Sequence, residues 1–287
     1  MYSGRFAPSP SGPLHLGSLL AAVASWLDAR ANQGTWMVRI EDIDPPREVE
    51  GSDRLILQSL QAHGLSWDHA VEYQSSRLEL YREHLQQLRQ LGLAYPCSCS
   101  RSDIAEMGGF YDGRCRQKTT IPERGFAWRF KMPGTVEWQD AFAGPQKADS
   151  PKETADPVIW RRDGLVAYHL AAAVDDTTMQ ISHVVRGADL LSSTTAQLAL
   201  IDALDKPRSE YGHIPVLNGA NDQKLSKQNH AEPLDDSAPE RNLSQVLALL
   251  GQRLPAELVA APVHQQLDWA IDGWNRNSVP AVQAIRL

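Results

Sequence analysis

The chain has 287 residues, 42% of them hydrophobic and 22% charged, which is ordinary globular usage and argues against disorder or a coiled coil. A soft reading of the length gives about two domains. Its net charge of −7 speaks against indiscriminate coating of nucleic acid, although the stretch from Arg77 to Lys131 carries ten basic and six acidic residues and could meet a polyanion at one chosen place or simply be solvated surface. Three cysteines, all within nineteen residues, do not make a secreted disulfide framework.

The chain opens as strand, loop and helix. Tyr2 to Phe6 is a short extended run, and Pro8, Pro10 and Pro13 keep the following loop out of helix. Leu19, Leu20, Val23, Trp26 and Leu27 recur at helical spacing from about Leu16 to Asn32, where Gly34 closes the element. Thr35 to Glu41 alternates as a strand, so the unit is a βαβ crossover with parallel strands. Phe6 to Leu27 lacks charged residues, but its prolines, His15 and serines break any membrane span or signal core, and a cytoplasmic, membrane-free protein is expected.

Helices are predicted over Glu48 to Ala62 and Ser76 to Leu91, and an irregular stretch over Ala94 to Ile121. Short strands follow at Phe126 to Lys131 and Thr135 to Trp138, then an exposed polar loop from Gly144 to Pro157. Leu165 to Val174 and Ile181 to Val185 read as strand or mixed, Ser193 to Leu204 as helix, Tyr211 to Leu217 as strand, and Asn218 to Gln228 as a polar loop. Helices near Pro239 to Leu250 and Val263 to Trp274 end the chain.

Two segments carry candidate chemistry. Ligands of parallel sheets bind beyond the carboxyl ends of strands, and the first strand runs into Ala7-Pro8-Ser9 and His15-Leu16-Gly17-Ser18 at a helix start. Free N–H groups there suit phosphate, Gly17 allows close approach, and His15 can donate to a phosphate oxygen. About 210 residues later, Lys224-Leu225-Ser226-Lys227-Gln228 offers two lysines able to settle on a polyphosphate. Neither a dinucleotide-binding glycine loop nor a Walker A sequence is present.

The pair of segments resembles class I aminoacyl-tRNA synthetases, with His15-Leu16-Gly17-Ser18 in place of their His-Ile-Gly-His signature and Lys224 to Gln228 in place of their Lys-Met-Ser-Lys-Ser loop. Ser18 departs from the second histidine. Within the class, Arg5 to His15, Arg39-Ile40-Glu41-Asp42-Ile43-Asp44 and Val185-Arg186-Gly187-Ala188-Asp189-Leu190-Leu191 are similar to the glutamyl branch. The resemblance implies an α/β fold: a split Rossmann-like catalytic domain over 1–92 and 165–228, an inserted zinc-bearing subdomain over 93–164, and a helical stem-contact unit over 229–287.

It also implies ATP-dependent activation of L-glutamate, with His15, Gly17, Ser18, Lys224 and Lys227 serving the nucleotide and its Mg²⁺. Arg5, the loop Phe6-Ala7-Pro8-Ser9, Glu41, Tyr168 and Arg186 would form the glutamate pocket, the arginines meeting carboxylates and Glu41 the α-ammonium. The residues alone leave a salt bridge at strand ends open for Arg5 and Glu41, and a core aromatic open for Tyr168. Cys97, Cys99 and Cys115 supply three thiolates, one short of a closed zinc site. Resemblance supports Tyr111 as the fourth donor; reduced thiols and a Cys97–Cys99 disulfide remain the alternatives. Only fifty-nine residues follow Gln228, too few for the family's anticodon-binding domain. That brevity resembles the short paralogues that activate glutamate without tRNA and attach it to queuosine in the anticodon of tRNA(Asp); an ordinary glutamyl-tRNA ligase charging the tRNA 3′ end and a non-catalytic tRNA- or nucleotide-binding paralogue are the alternatives. The partners so implied are ATP, L-glutamate and queuosine-containing tRNA(Asp), with Arg101, Arg114, Arg116 and Lys118 as candidate RNA contacts, and a monomer is expected.

Overall fold

The computed structural model describes residues 1–118, 120–123, 125–150, 152–219, 225 and 232–287. Strand β1 (Ser3–Phe6), helix α1 (Leu16–Ala31) and strand β2 (Thr35–Ile40) form the predicted crossover, and β1 and β2 pair in parallel from Ser3–Thr35 to Phe6–Val38. α1 is rich in alanine and leucine and apolar nearly all round, so it is buried on most of its circumference. β2 pairs in parallel with the short β3 (Glu72–Tyr73), reached through α2 (Ser52–Ala62); α3 (Leu78–Gln90) follows.

A second sheet has the order β7-β6-β10-β9, from Gly144–Ala148, Val136–Asp140, Glu210–Ile214 and His183–Gly187. β9, β10 and β6 are parallel and β7 is antiparallel. The Ser182 N–H donates to the Ser3 carbonyl at 2.9 Å, so β1 runs beside β9. The carboxyl ends of β1, β2 and β9 therefore open on one side of the molecule.

A third sheet, β4-β5-β8 (Ala94–Cys97, Ala127–Phe130, Val158–Trp160), is antiparallel and carries the cysteine lobe with the short helix α4 (Arg101–Glu106). The 93–164 segment is thus shared between two sheets, since β6 and β7 lie beside β10. Near the end of the chain, α7 (Pro239–Leu249) and α8 (Val263–Asp272) pack on α1, and β12 (Ala284–Arg286) pairs with β11 (Val216–Asn218). Buried Asp28 on α1 locks this unit by accepting from Trp274 Nε1 at 2.8 Å and Arg276 Nε at 2.6 Å.

Three local expectations are corrected. Leu165 to Val174, read as strand or mixed, is mostly helix: from Tyr168 the chain is α5 (Tyr168–Thr178), because Leu170-Ala171-Ala172-Ala173 is a run of strong helix formers. Gly144 to Pro157 is not all loop, for β7 forms the sheet edge, where Pro145 and exposed Lys147 are at home. The stretch from Ala94 to Ile121 is less irregular than expected, since β4 opens it and Ser100 caps α4 in a reciprocal box with Asp103.

Candidate active site

His15 caps α1 with its own ring: Nδ1 accepts the Ser18 N–H at 3.2 Å. An accepting Nδ1 is unprotonated, so the proton of the neutral ring resides on Nε2, the tautomer suited to donating to a phosphate oxygen. A Cβ at Gly17 would lie 3.2 Å from that ring and 3.9 Å from the Leu225 carbonyl; glycine here lets the helix start, the imidazole and the second loop meet. Leu225 is tied back to β11 through its N–H on the Leu217 carbonyl at 2.7 Å. These groups line a cleft of about 400 Å³ together with Phe6, Ala7, Pro8, Ser9, Ser18 and Arg47. Lys224 and Lys227 lie outside the described residues, although Leu225 between them stands in the cleft wall.

Beside the cleft is a dense set of buried charges. Arg5 on β1 is 4% exposed and meets Asp176 at 3.3 and 3.5 Å. Arg39 on β2, fully buried, meets the same carboxylate at 2.6 Å, Asp175 at 3.6 Å and Glu41 at 3.1 Å. Asp175 also accepts from Gln74 and Arg77, each at 2.7 Å, and from Tyr81 at 2.8 Å. Both aspartates come from the third turn of α5, so one helix knits the carboxyl ends of two strands together. Burial alone would raise the Asp176 carboxyl, but Arg5 and Arg39 hold it down at about 2. For Glu41 burial prevails over Arg39 and Arg5, and its carboxyl is raised.

Arg186 on β9 sits in a different setting. It is 4% exposed, yet it forms no ion pair among the described residues. Nε donates to His213 Nε2 at 3.1 Å, Nη1 to the Tyr168 hydroxyl at 3.2 Å, and Nη2 to the Leu190 carbonyl at 3.3 Å and Thr194 Oγ1 at 2.8 Å. Its guanidinium also lies 5.1 Å from the Tyr211 ring centre. Four of its five N–H groups are thereby engaged with neutral acceptors. One Nη1 proton remains, beside a Tyr168 hydroxyl that accepts from Arg186 and so keeps its own proton to donate. A buried cation with two neighbouring donors and no counter-charge among the described residues is able to receive a carboxylate.

At the end of β4 and in the chain that follows it, Cys97, Cys99 and Cys115 are free thiols whose sulfurs all lie within 4.8 Å of one another. Cys99 and Cys115 are 3.6 Å apart, close to the ~3.8 Å edge of a tetrahedron with Zn–S bonds of ~2.3 Å. Tyr111 belongs to the same small cluster: its phenol oxygen accepts the Cys115 N–H at 2.8 Å, and the Arg129 guanidinium covers its ring at 3.9 Å. The trio of thiols is able to hold a metal ion.

The family model of class I tRNA synthetases (E and Q), catalytic domain, matches residues 2–242. The chain belongs to that family. The synthetase is 48% identical over 287 residues to a glutamyl-Q tRNA(Asp) synthetase of Serratia proteamaculans, covering all of this chain and 94% of the relative. A protein of the same name from Vibrio cholerae is 42% identical over 280 residues, covering 97% and 92%. Among solved structures, a glutamate tRNA ligase from Elizabethkingia meningosepticum in complex with its amino acid superposes with a TM-score of 0.82 at 26% identity. The match takes in 99% of this synthetase and 66% of that ligase. No helix among the described residues is long and apolar enough to cross a membrane.

Several residues of the synthetase's site were not singled out in the sequence: Arg39, Asp175, Asp176, Asp140, Thr194, Tyr211 and His213. Asp175-Asp176 had a visible signal, two adjacent acids closing the apolar run Leu170 to Val174. Arg39, Asp140, Tyr211 and His213 sit on strands whose neighbours only the sheet register reveals, and Thr194 lies on helix α6 (Leu191–Ala203) beside them.

Proposed function

We propose that the protein activates L-glutamate with ATP, without requiring tRNA for that step, and transfers the glutamyl group to queuosine in the anticodon of tRNA(Asp). The observation that carries the amino-acid assignment is Arg186, a buried guanidinium with neutral partners only, next to Tyr168 and adjoining the His15 cleft. Names borne by the relatives of high coverage support the acceptor.

In this reading Arg186 and Tyr168 receive the side-chain carboxylate, while Arg5 and the loop Phe6-Ala7-Pro8-Ser9 shape the floor. Glu41 receives the α-ammonium. Activation forms a bond between an α-carboxylate oxygen and the α-phosphorus of ATP and breaks the bond to pyrophosphate. The acyl group then passes to a hydroxyl of the modified base, with release of AMP. The protein's contribution is alignment and charge stabilisation: His15 Nε2–H at the phosphates, Gly17 and Ser18 at the helix start, and Lys224 and Lys227 over the triphosphate. Mg²⁺ accompanies ATP as its counter-ion.

We assign Cys97, Cys99, Cys115 and Tyr111 to a zinc ion of structural type, which supplies a fixed point for a lobe whose own core is small. Chelation is expected to lower the thermal midpoint and release about one equivalent of zinc per chain; metal-free protein of unchanged stability would remove the assignment.

The decisive assay incubates the protein with labelled glutamate, ATP and tRNA(Asp), with and without queuosine, and maps the label by nuclease fragmentation. Label on the queuosine-bearing fragment is expected. Label on the 3′-terminal nucleotide overturns the acceptor, and absence of glutamate-dependent ATP–pyrophosphate exchange overturns the whole reading.

A further inference from the structure

We propose that Asp140 and His213 form a positioning pair that fixes the Arg186 guanidinium in the orientation that receives the substrate's carboxylate. The proposal rests on the reading of this pocket as the glutamate site. The three residues stand side by side on adjacent strands. In the β9–β10 register His213 is directly opposite Arg186, and in the β10–β6 register Tyr211 is opposite Asp140. The line therefore crosses the sheet from β6 to β9 without leaving it, and all three members are buried.

The hydrogen bonds assign the imidazole's state. Arg186 Nε–H can only donate, and it reaches His213 Nε2 at 3.1 Å. Nε2 is consequently the acceptor and Nδ1 carries the proton, which goes to Asp140 Oδ2 at 2.5 Å. Asp140 cannot turn away, because its Oδ1 accepts the N–H groups of His213, Phe142 and Ala143 at 3.0, 3.1 and 3.0 Å. Thr194 closes the far side: its hydroxyl lies 3.1 Å from Nε2 and 2.8 Å from Arg186 Nη2. Gly212 belongs to the same construction, since a Cβ there would stand 2.6 Å from the Phe142 ring and push the β6 corner off Asp140.

The arrangement solves a specific difficulty. A carboxylate in direct contact with Arg186 would anchor it but would also neutralise it and compete with the substrate. A neutral imidazole between Asp140 and Arg186 anchors Nε while leaving the guanidinium without a contact counter-ion, and the carboxylate behind it strengthens the imidazole as an acceptor. Arg5 and Arg39 show the alternative, each in contact with Asp176.

Because Arg186 in this reading touches the substrate's side chain and not the reacting atoms, loosening it weakens substrate binding more than the chemical step. Glutamate-dependent ATP–pyrophosphate exchange on the full-length protein tests this with His213→Ala, His213→Gln, Asp140→Asn and Arg186→Ala. His213→Ala is expected to raise KM for glutamate about tenfold or more, the scale of one anchoring hydrogen bond to a charged group, with KM for ATP and kcat within about threefold of wild type. His213→Gln, whose Oε1 can accept from Nε, should recover most of the loss, which a purely structural role would not do. Asp140→Asn should fall between.

Wild-type KM for glutamate in both His213→Ala and Asp140→Asn overturns the pair, as does an equal loss in His213→Ala and His213→Gln spread over KM for glutamate, KM for ATP and kcat. Arg186→Ala separates the two levels of argument. If it abolishes exchange while His213→Ala is silent, the positioning pair alone fails. If Arg186→Ala is itself silent, or glutamate supports no exchange, the pocket assignment fails and the pair with it.

Discussion

Arg5 and Arg186 are equally buried, yet their surroundings are opposite. Arg5 shares Asp176 with Arg39 in a cluster that also takes in Asp175, Arg77 and Glu41, whereas Arg186 is held by an imidazole, a phenol, a threonine hydroxyl and a main-chain carbonyl. The first setting spends its charges on holding β1, β2 and α5 together. The second leaves one cation underpaired next to a cleft. Buried charge is therefore put to two uses on neighbouring strands, and the underpaired one has an N–H group left to offer an anion.

The strongest way to break that contrast is at Asp176. Asp176→Ala removes the ion-pair partner of buried Arg5 and one of the three carboxylates around Arg39, and is expected to destabilise the fold by ~3–5 kcal/mol, read as the midpoint of urea unfolding. A loss confined to activity, with unchanged stability, would show that the first cluster is not a clamp. At the second site the ranking reverses. Arg186→Ala removes no ion pair, so its unfolding midpoint should move less than that of Asp176→Ala, while kcat/KM for glutamate activation falls about 30-fold or more, from loss of ~2 kcal/mol or more of charge-assisted contact.

Acid sharpens the comparison because the two sites respond over separate ranges. His169, half-buried near Arg186, is pushed from 6.5 down to about 4 by desolvation and by that cation. A histidine whose value is depressed on folding binds fewer protons than in the unfolded chain. Its contribution is present above pH 6.5 and is lost as pH falls from there to about 4, at up to ~1.4 kcal/mol per unit. Asp176, held at about 2 against an ordinary 3.8 by Arg5 and Arg39 despite burial, contributes stability that is lost only between those lower values. Stability followed against pH should show the upper limb shrink in His169→Gln and the lower limb persist. An unchanged upper limb would place the histidine's environment in error.

Much of the first site was readable from sequence because its determinants are local. The prolines, Gly17 and His15 fall within ten residues, and the apolar spacing from Leu19 to Leu27 fixes which end of α1 faces the cleft. The charged groups beside that cleft were half readable. Arg5, Glu41, Tyr168 and Arg186 were named from motifs, but the segment holding Tyr168 was read only as strand or mixed, and its helix α5 starts at that residue. Asp140 and His213 were not legible. Their meeting depends on β6 joining β10, a long-range register that no local period encodes, in a segment expected to belong to the inserted lobe.

The smallest expected effect concerns Ser18, which stands where the family signature has a second histidine. Its main-chain N–H bonds to the His15 ring at 3.2 Å and to the His15 carbonyl at 2.9 Å, and any residue provides that group. The tautomer of His15 is consequently set by backbone geometry and not by the side chain that differs. Ser18→Ala should leave the helix start intact and change KM for ATP by no more than about fivefold, the ~1 kcal/mol scale of one hydroxyl contact. A loss of a hundredfold would mean that the hydroxyl itself grips the nucleotide, and the departure from the histidine would then be a replacement of one donor by another.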